Sequence, residues 1–256
     1  MKQKIPNKVF DIDTEEAYKR FLDRSENENS ESEIPITTQD SSQSKPYEQD
    51  INDNEWIILN ENTRELISID KFHHGNNWNQ MHELLQQNNE YMPNISEILK
   101  LTKLLLKKKA RYADNSPIRL EKQEEIFNEI YEVRDSWRLE YIDARFKKRS
   151  NGLYILSNHI IQPDNSLKPM SEEKLEYTLM QDKTPGIDLT SWINNPNKHG
   201  LPKESIQDGS FYYWHPRNNN VAWLNAGSVG ASLSCGRDPS YSNDGLGVRK
   251  KIFHRK

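Results

Sequence analysis

The chain has 256 residues, 34% of them hydrophobic, and a formal net charge of -4, with a mean hydropathy of -0.98 and a pI near 6.0. That length suits one large domain or two small ones, the low hydropathy implies that part of the chain cannot bury enough apolar surface to order, and the acidic balance argues against a nucleic-acid partner. Cys235 is the only cysteine, which excludes an intrachain disulfide and with it a disulfide-stapled secreted lectin.

Residues 1–24 form a polar tail with one short helix candidate. Thr14 caps it, Glu15 and Glu16 suit its first turn, and Ala17, Tyr18, Phe21 and Leu22 make an apolar stripe. The N-terminus has no apolar stretch of the signal-peptide kind, and no apolar run is long enough to span a bilayer. The expected compartment is therefore the cytoplasm. Residues 25–53 almost lack large apolar side chains and read as a disordered acidic linker.

Order is expected from Glu55, within a domain over residues 54–256 whose first part, 54–135, is mainly helical. The runs Trp56 to Leu59 and Leu66 to Ile69 flank Asn60 to Thr63 as a hairpin. His73 and His74 invite a metal reading, but no further ligand falls at metal spacing, so they read as loop. Trp78, Met81, Leu84 and Leu85 mark an amphipathic helix. In the next helix Asn94 is the cap and Glu97 completes a capping box. Its apolar face includes Ile95, Ile98, Leu101 and Leu105, and its basic end, Lys107 to Lys109, reads as a solvated surface. A third helix is expected over 120–133, with Ile126, Phe127, Ile130 and Tyr131 inward.

Strand-like sequence begins at Trp137. Asn151-Gly152 is a strong hairpin turn between Phe146 and Leu153. Asp188 caps a short helix that Pro196 ends. In the last quarter, residues 209–256, Phe211 to Trp214 form an aromatic strand. Ala231, Leu233 and Cys235 alternate with Ser232, Ser234 and Gly236, the period of a half-buried strand. The alternation aims the small apolar set at a core and the polar set outward. Asp238 to Ser240 and Ser242 to Gly245 are turns, and residues 247–253 read as one closing strand.

Several segments of this quarter form a frame: Tyr213-Trp214-x-Pro216-Arg217, Val221-Ala222, Ala226-x-Ser228, Ala231-x-Leu233-x-Cys235, Arg237 to Ser240 and Leu246 to Arg249. The frame resembles the variable proteins of diversity-generating retroelements. The resemblance covers roughly residues 55–256 and is densest at the C-terminal end. It implies an α+β, C-type-lectin-like domain, related to formylglycine-generating enzymes, with short twisted antiparallel strands, flanking helices and long loops. It further implies a surface that a reverse transcriptase, encoded nearby, rewrites at adenine-containing codons. The positions fitting that role are Trp223, Asn225, Gly227, Val229, Gly230, Ser232, Ser234, Gly236, Arg237, Tyr241, Ser242 and Asn243. Trp214, Ala231, Leu233, Cys235, Asp238, Gly247 and Arg249 would be the fixed scaffold, with Trp214 and Arg217 also within reach of a ligand.

The expected function is display of a binding patch toward a macromolecular target, protein being the expected class. No catalytic residue, cofactor or metal is assigned. The related enzymes need a cysteine pair and this chain has one cysteine; Gly227-Ser228-Val229-Gly230 only loosely echoes a nucleophile elbow; and the calcium triplets of sugar-binding lectins are missing. The alternatives are an adaptor, in which residues 1–53 and the basic helix recruit a partner beside a fixed lectin-like domain, and a degenerate relative of the formylglycine-generating enzymes.

Overall fold

The computed structural model describes residues 51–134 and 137–253. The tail and most of the linker expected from the sequence lie outside them. The described unit starts at Ile51, which packs on a small cluster of Trp56, Leu66, Ala113 and Ile252. The described residues therefore begin a few positions ahead of Glu55.

The architecture is α+β. Strands β1 (Trp56–Asn60) and β2 (Glu65–Ser68) form the expected hairpin. Helices α1 (Trp78–Gln86), α2 (Ile95–Leu106) and α3 (Leu120–Tyr131) follow. Both α1 and α2 open on complete capping boxes, Asn77 with Gln80 and Asn94 with Glu97, so orphan N–H groups at each first turn are paired.

The long strands β3 (Arg138–Arg149) and β4 (Gly152–Ile161) turn at Ser150-Asn151, one residue ahead of the expected Asn151-Gly152, since Gly152 already pairs with Arg149. β5 (Leu167–Lys174), β6 (Lys183–Ile187) and α4 (Leu189–Asn194), capped by Asp188, come next. The last strands are β7 (Asp208–Gly209), β8 (Phe211–Trp214), β9 (Val221–Gly227), β10 (Gly230–Arg237), β11 (Leu246–Gly247) and β12 (Lys251–Phe253). The larger sheet runs β5-β4-β3-β9-β10-β8-β6-β7, with β11 beside β3, and the smaller runs β1-β2-β12.

Two features depart from the expectation. The sheet is not wholly antiparallel, since β8 pairs with β10, and β11 with β3, in parallel. The expected single closing strand is two: β11 joins the larger sheet and β12 the smaller, because the backbone between them pairs with other partners, Val248 with Phe72.

The core lies mainly on one face of the larger sheet. Tyr213, Leu224 and Leu233 share a register row across β8, β9 and β10, and all three are buried with Ala226, Ala231 and Cys235. Helices α2, α3 and α4 cover this row with Ile95, Ile98, Leu101, Ile126, Ile130 and Trp192. The opposite face carries a second, smaller core at one end only, where Trp78, Met81 and Leu85 of α1 meet Tyr141, Trp223, Leu246 and Val248. Beyond that end the face carries half-buried residues, Tyr212, Trp214, Asn225 and Ser234, and this asymmetry makes the candidate site.

Candidate binding surface

Strand alternation places Tyr212, Ser232, Asn225 and Leu139 in one row of the outer face, and Trp214, Ser234, Trp223 and Tyr141 in the next. The middle strand offers only small side chains, while the flanking positions are large. Aromatic rings lean over the glycines: an added Cβ at Gly227 would stand 3.3 Å from the Trp137 ring, and one at Gly230 would stand 3.4 Å from that of Tyr212. Trp137 is 55% exposed despite its size. Ser232 Oγ and Asn225 Oδ1, on directly paired residues, lack a hydrogen-bond partner among the described residues. The result is a polar, small-residue floor between aromatic walls.

One border is a stack. The Arg237 guanidinium lies 4.3 Å from the centre of the Trp223 ring and 3.7 Å from that of Tyr241, and the two rings meet edge to face. Such cation–π contacts contribute about 0.5–2 kcal/mol each, more when shielded from water. The Tyr141 hydroxyl donates to Tyr241 O at 2.8 Å and fixes the loop from below. Asp238 Oδ1 accepts from the Ser240 amide and hydroxyl, and Asn243 Oδ1 accepts from the Gly245 amide, so both turns are locked by their own side chains.

The other border is charged. Asp182 accepts from the ring of His215 at 2.6 Å and from Arg217 at 2.6 Å, and the Arg217 side chain lies against Gly236. Partial burial would raise the Asp182 carboxyl, but the hydrogen bonds from His215 and the Arg217 charge hold it below the ordinary range.

The residues expected at the patch divide. Asn225, Gly230, Ser234, Gly236, Arg237 and Tyr241 are half-buried around the floor, and Val229, Ser242 and Asn243 are exposed at its edge, Val229 at 75%. Trp223, Gly227 and Ser232 are buried, which corrects their expected exposure. The second core claims the ring of Trp223, Trp137 covers Gly227, and Ser232 lies at the bottom of the row at 1% exposure. Among the scaffold residues, Ala231, Leu233, Cys235, Gly247 and Arg249 are buried. Burial pushes the Cys235 thiol well above its usual range, which suits an inert structural cysteine. Asp238 and Trp214 correct the expectation: Asp238 is exposed and acts through its turn, and Trp214 stands half-buried on the outer face beside Ser234.

Sequence reasoning missed Tyr212 and Trp137 as walls. Tyr212 was legible, two residues before Trp214 on a strand of period two. Trp137 was not, because its place depends on how β3 pairs with β9. Also missed was a buried cluster beneath α1, His82, Asp143 and His159, contributed by α1, β3 and β4. Burial pushes the His82 imidazole down to about 4, against the pull of Asp143. No family model matches the chain, and no curated protein or solved structure matches it either.

Proposed function

We propose that the outer face of β8, β9 and β10 is a display surface that binds a macromolecular target, with protein the class it fits, and that the chain is not an enzyme. The observation that carries this is the division of labour within single strands. On β10, Ala231, Leu233 and Cys235 fill the core while Ser234 and Gly236 stand on the opposite side between aromatic and arginine borders. The accessible side chains on the outer side, outside the second core, can change without touching the interior. Aromatic rings and arginine are the groups that dominate protein interfaces, and small polar residues supply adaptable contacts.

The reading extends to the resemblance of the last quarter: a lectin-like scaffold whose displayed positions a retroelement varies. The displayed set is then the accessible one, Asn225, Val229, Gly230, Ser234, Gly236, Arg237, Tyr241, Ser242 and Asn243. Trp223, Gly227 and Ser232 support it from beneath.

A paired scan tests the scaffold. Ser234→Tyr, Val229→Asp, Ser242→Tyr and Asn243→Tyr are expected to shift stability by about 0.5 kcal/mol or less each, as surface changes do. Leu233→Asp is expected to unfold the domain, because it places a carboxylate in the core. Equal destabilisation by both sets would sink the display reading. The genomic locus tests diversification: a reverse-transcriptase gene and a near-copy of the segment encoding residues 221–248, differing at adenines, are expected. A locus with neither leaves a fixed binding surface and removes the retroelement.

A further inference from the structure

We infer that His82, Asp143 and His159 form a buried site for one divalent transition-metal ion of the zinc class, tying α1 to the β3–β4 hairpin. Each residue offers one ligand atom, and these atoms all lie within 4.8 Å of one another. His82 Nε2 is 3.6 Å from Asp143 Oδ1, and His159 Nδ1 is 2.5 Å from the same oxygen. The two imidazole centres are 5.5 Å apart. Two imidazoles on a tetrahedral zinc have centres about 5 Å apart, since each metal–nitrogen bond is about 2.0 Å. An ion would widen the His159–Asp143 pair slightly and draw His82 inward.

The decisive observation is His82. It is 0% exposed, and neither ring nitrogen has a hydrogen-bond partner among the described residues. A neutral imidazole always carries one N–H and one lone pair, and buried polar atoms are normally satisfied. Asp143 is too far to serve His82 directly, but an ion between them would take the lone pair. The donor set is two nitrogens and one carboxylate, which suits zinc and its neighbours. Calcium and magnesium would need more oxygens. Three protein ligands leave the fourth position to water.

The surroundings are built to hold these side chains still. His159 donates its backbone N–H to Asp143 Oδ2 at 2.9 Å, and its carbonyl accepts from Gln86 Nε2 at 2.9 Å. Gln86 lies one turn after His82 on α1, so the same helix supplies a ligand and a clamp on another ligand's backbone. The Trp78 ring meets both imidazoles edge to face, at 4.3 and 4.9 Å, and walls off solvent. Both strands are irregular at the cluster. The β3–β9 register shifts between Ile142 and Arg145, which brackets Asp143, and Asn158 before His159 has a φ of 54°. Such irregularities re-aim side chains that a regular pleat would point elsewhere.

The test uses the full chain, stripped with a chelator and titrated with Zn²⁺ by calorimetry and thermal melting. One Zn²⁺ per chain is expected, binding at micromolar affinity or tighter and raising Tm by several degrees. Co²⁺ in its place should give the visible absorption of a tetrahedral nitrogen–oxygen site. His82→Leu, which removes the unpartnered nitrogens, should fold and lose the Tm shift. Asp143→Asn should weaken binding at least tenfold. His73 and His74, adjacent in the loop ahead of α1, are the nearest competing pair in sequence; His199 and His215 each lie beside one carboxylate elsewhere. Loss of binding in a His73→Ala/His74→Ala double variant, with His82→Leu unaffected, would overturn the assignment. Absence of Zn²⁺ uptake by the wild-type chain would overturn it without any variant having to fold.

Discussion

Glu65, Glu97 and Lys251 are all buried where β2, α2 and β12 meet. Lys251 Nζ donates to Glu97 at 2.8 Å, and the other Glu97 oxygen accepts the Asn94 amide in the capping box. One cation thus faces two carboxyls. Burial, reinforced by the neighbouring Glu97 charge, pushes Glu65 up to about 7 from 4.5. Burial also raises Glu97, but Lys251 and the hydrogen bonds outweigh it and hold that group below its ordinary range. Folding therefore makes Glu65 bind its proton more tightly. Its contribution to stability is fully present below pH 4.5 and lost as pH rises through about 7. Glu97 acts on the acid side, where its contribution is lost as pH falls. Replacing Glu65 with Gln keeps a neutral hydrogen-bonding group at all pH values. The variant is expected to be more stable than wild type at pH about 8, by on the order of 1–3 kcal/mol, and to flatten the decline between pH 5 and 8. Chemical denaturation at several pH values measures this, and an unchanged slope would show that Glu65 is already ionised in the folded chain.

At the scale of elements, the edge of the larger sheet depends on close backbone approaches, at Gly209 and most severely at Gly186. An added Cβ at Gly186 on β6 would lie 1.8 Å from the backbone oxygen of Phe211 on β8. Backbone cannot yield as a flexible side chain does, so Gly186→Ala is expected to cost several kcal/mol, the range of severe overpacking. The expected sign in hydrogen exchange is loss of protection in β6 and β7 before β9 and β10. Uniform exchange across the sheet would mean that the edge is not a separable unit. Which elements were legible follows from the range of their determinants. The α2 cap at Asn94 and the α4 cap at Asp188 are set by neighbours in sequence and stand where their chemistry places them, and the β3–β4 hairpin turns within one residue of Asn151-Gly152. The alternation of β10 was legible for the same reason. Burial of Trp223 was not, because it depends on α1 lying across that end of the sheet and on Tyr141, Leu246 and Val248 arriving from elsewhere. The His82, Asp143 and His159 cluster was hidden likewise, since helix, bulged strand and hairpin partner each carry one member.

At the scale of the molecule, the two sheets are joined by one short C-terminal stretch. Leu246 and Gly247 pair with β3 in the larger sheet, and Lys251 to Phe253 pair with β2 in the smaller. Arg249 lies between them, fully buried, and its Nη1 donates to Glu140 of β3. This pair is not fully satisfied: Arg249 Nε and Nη2 and Glu140 Oε1 have no hydrogen-bond partner among the described residues. Removing a charge from water is expensive, and one contact recovers only part of that cost. Loss of Arg249 leaves Glu140 with only the nearby Lys71 charge, and loss of Glu140 leaves the guanidinium facing that like charge. Arg249→Met is therefore expected to destabilise the domain by about 3–5 kcal/mol. Glu140→Leu alone should be similarly damaging, because it strands the guanidinium. The double variant, apolar on both sides, is expected to recover most of the loss, since an apolar pair of similar volume often equals or exceeds a buried ion pair. Three denaturation curves beside wild type decide it. Additive losses in the double variant would mean that Arg249 holds the sheets together through packing of its stem, and that Glu140 is incidental to the joint.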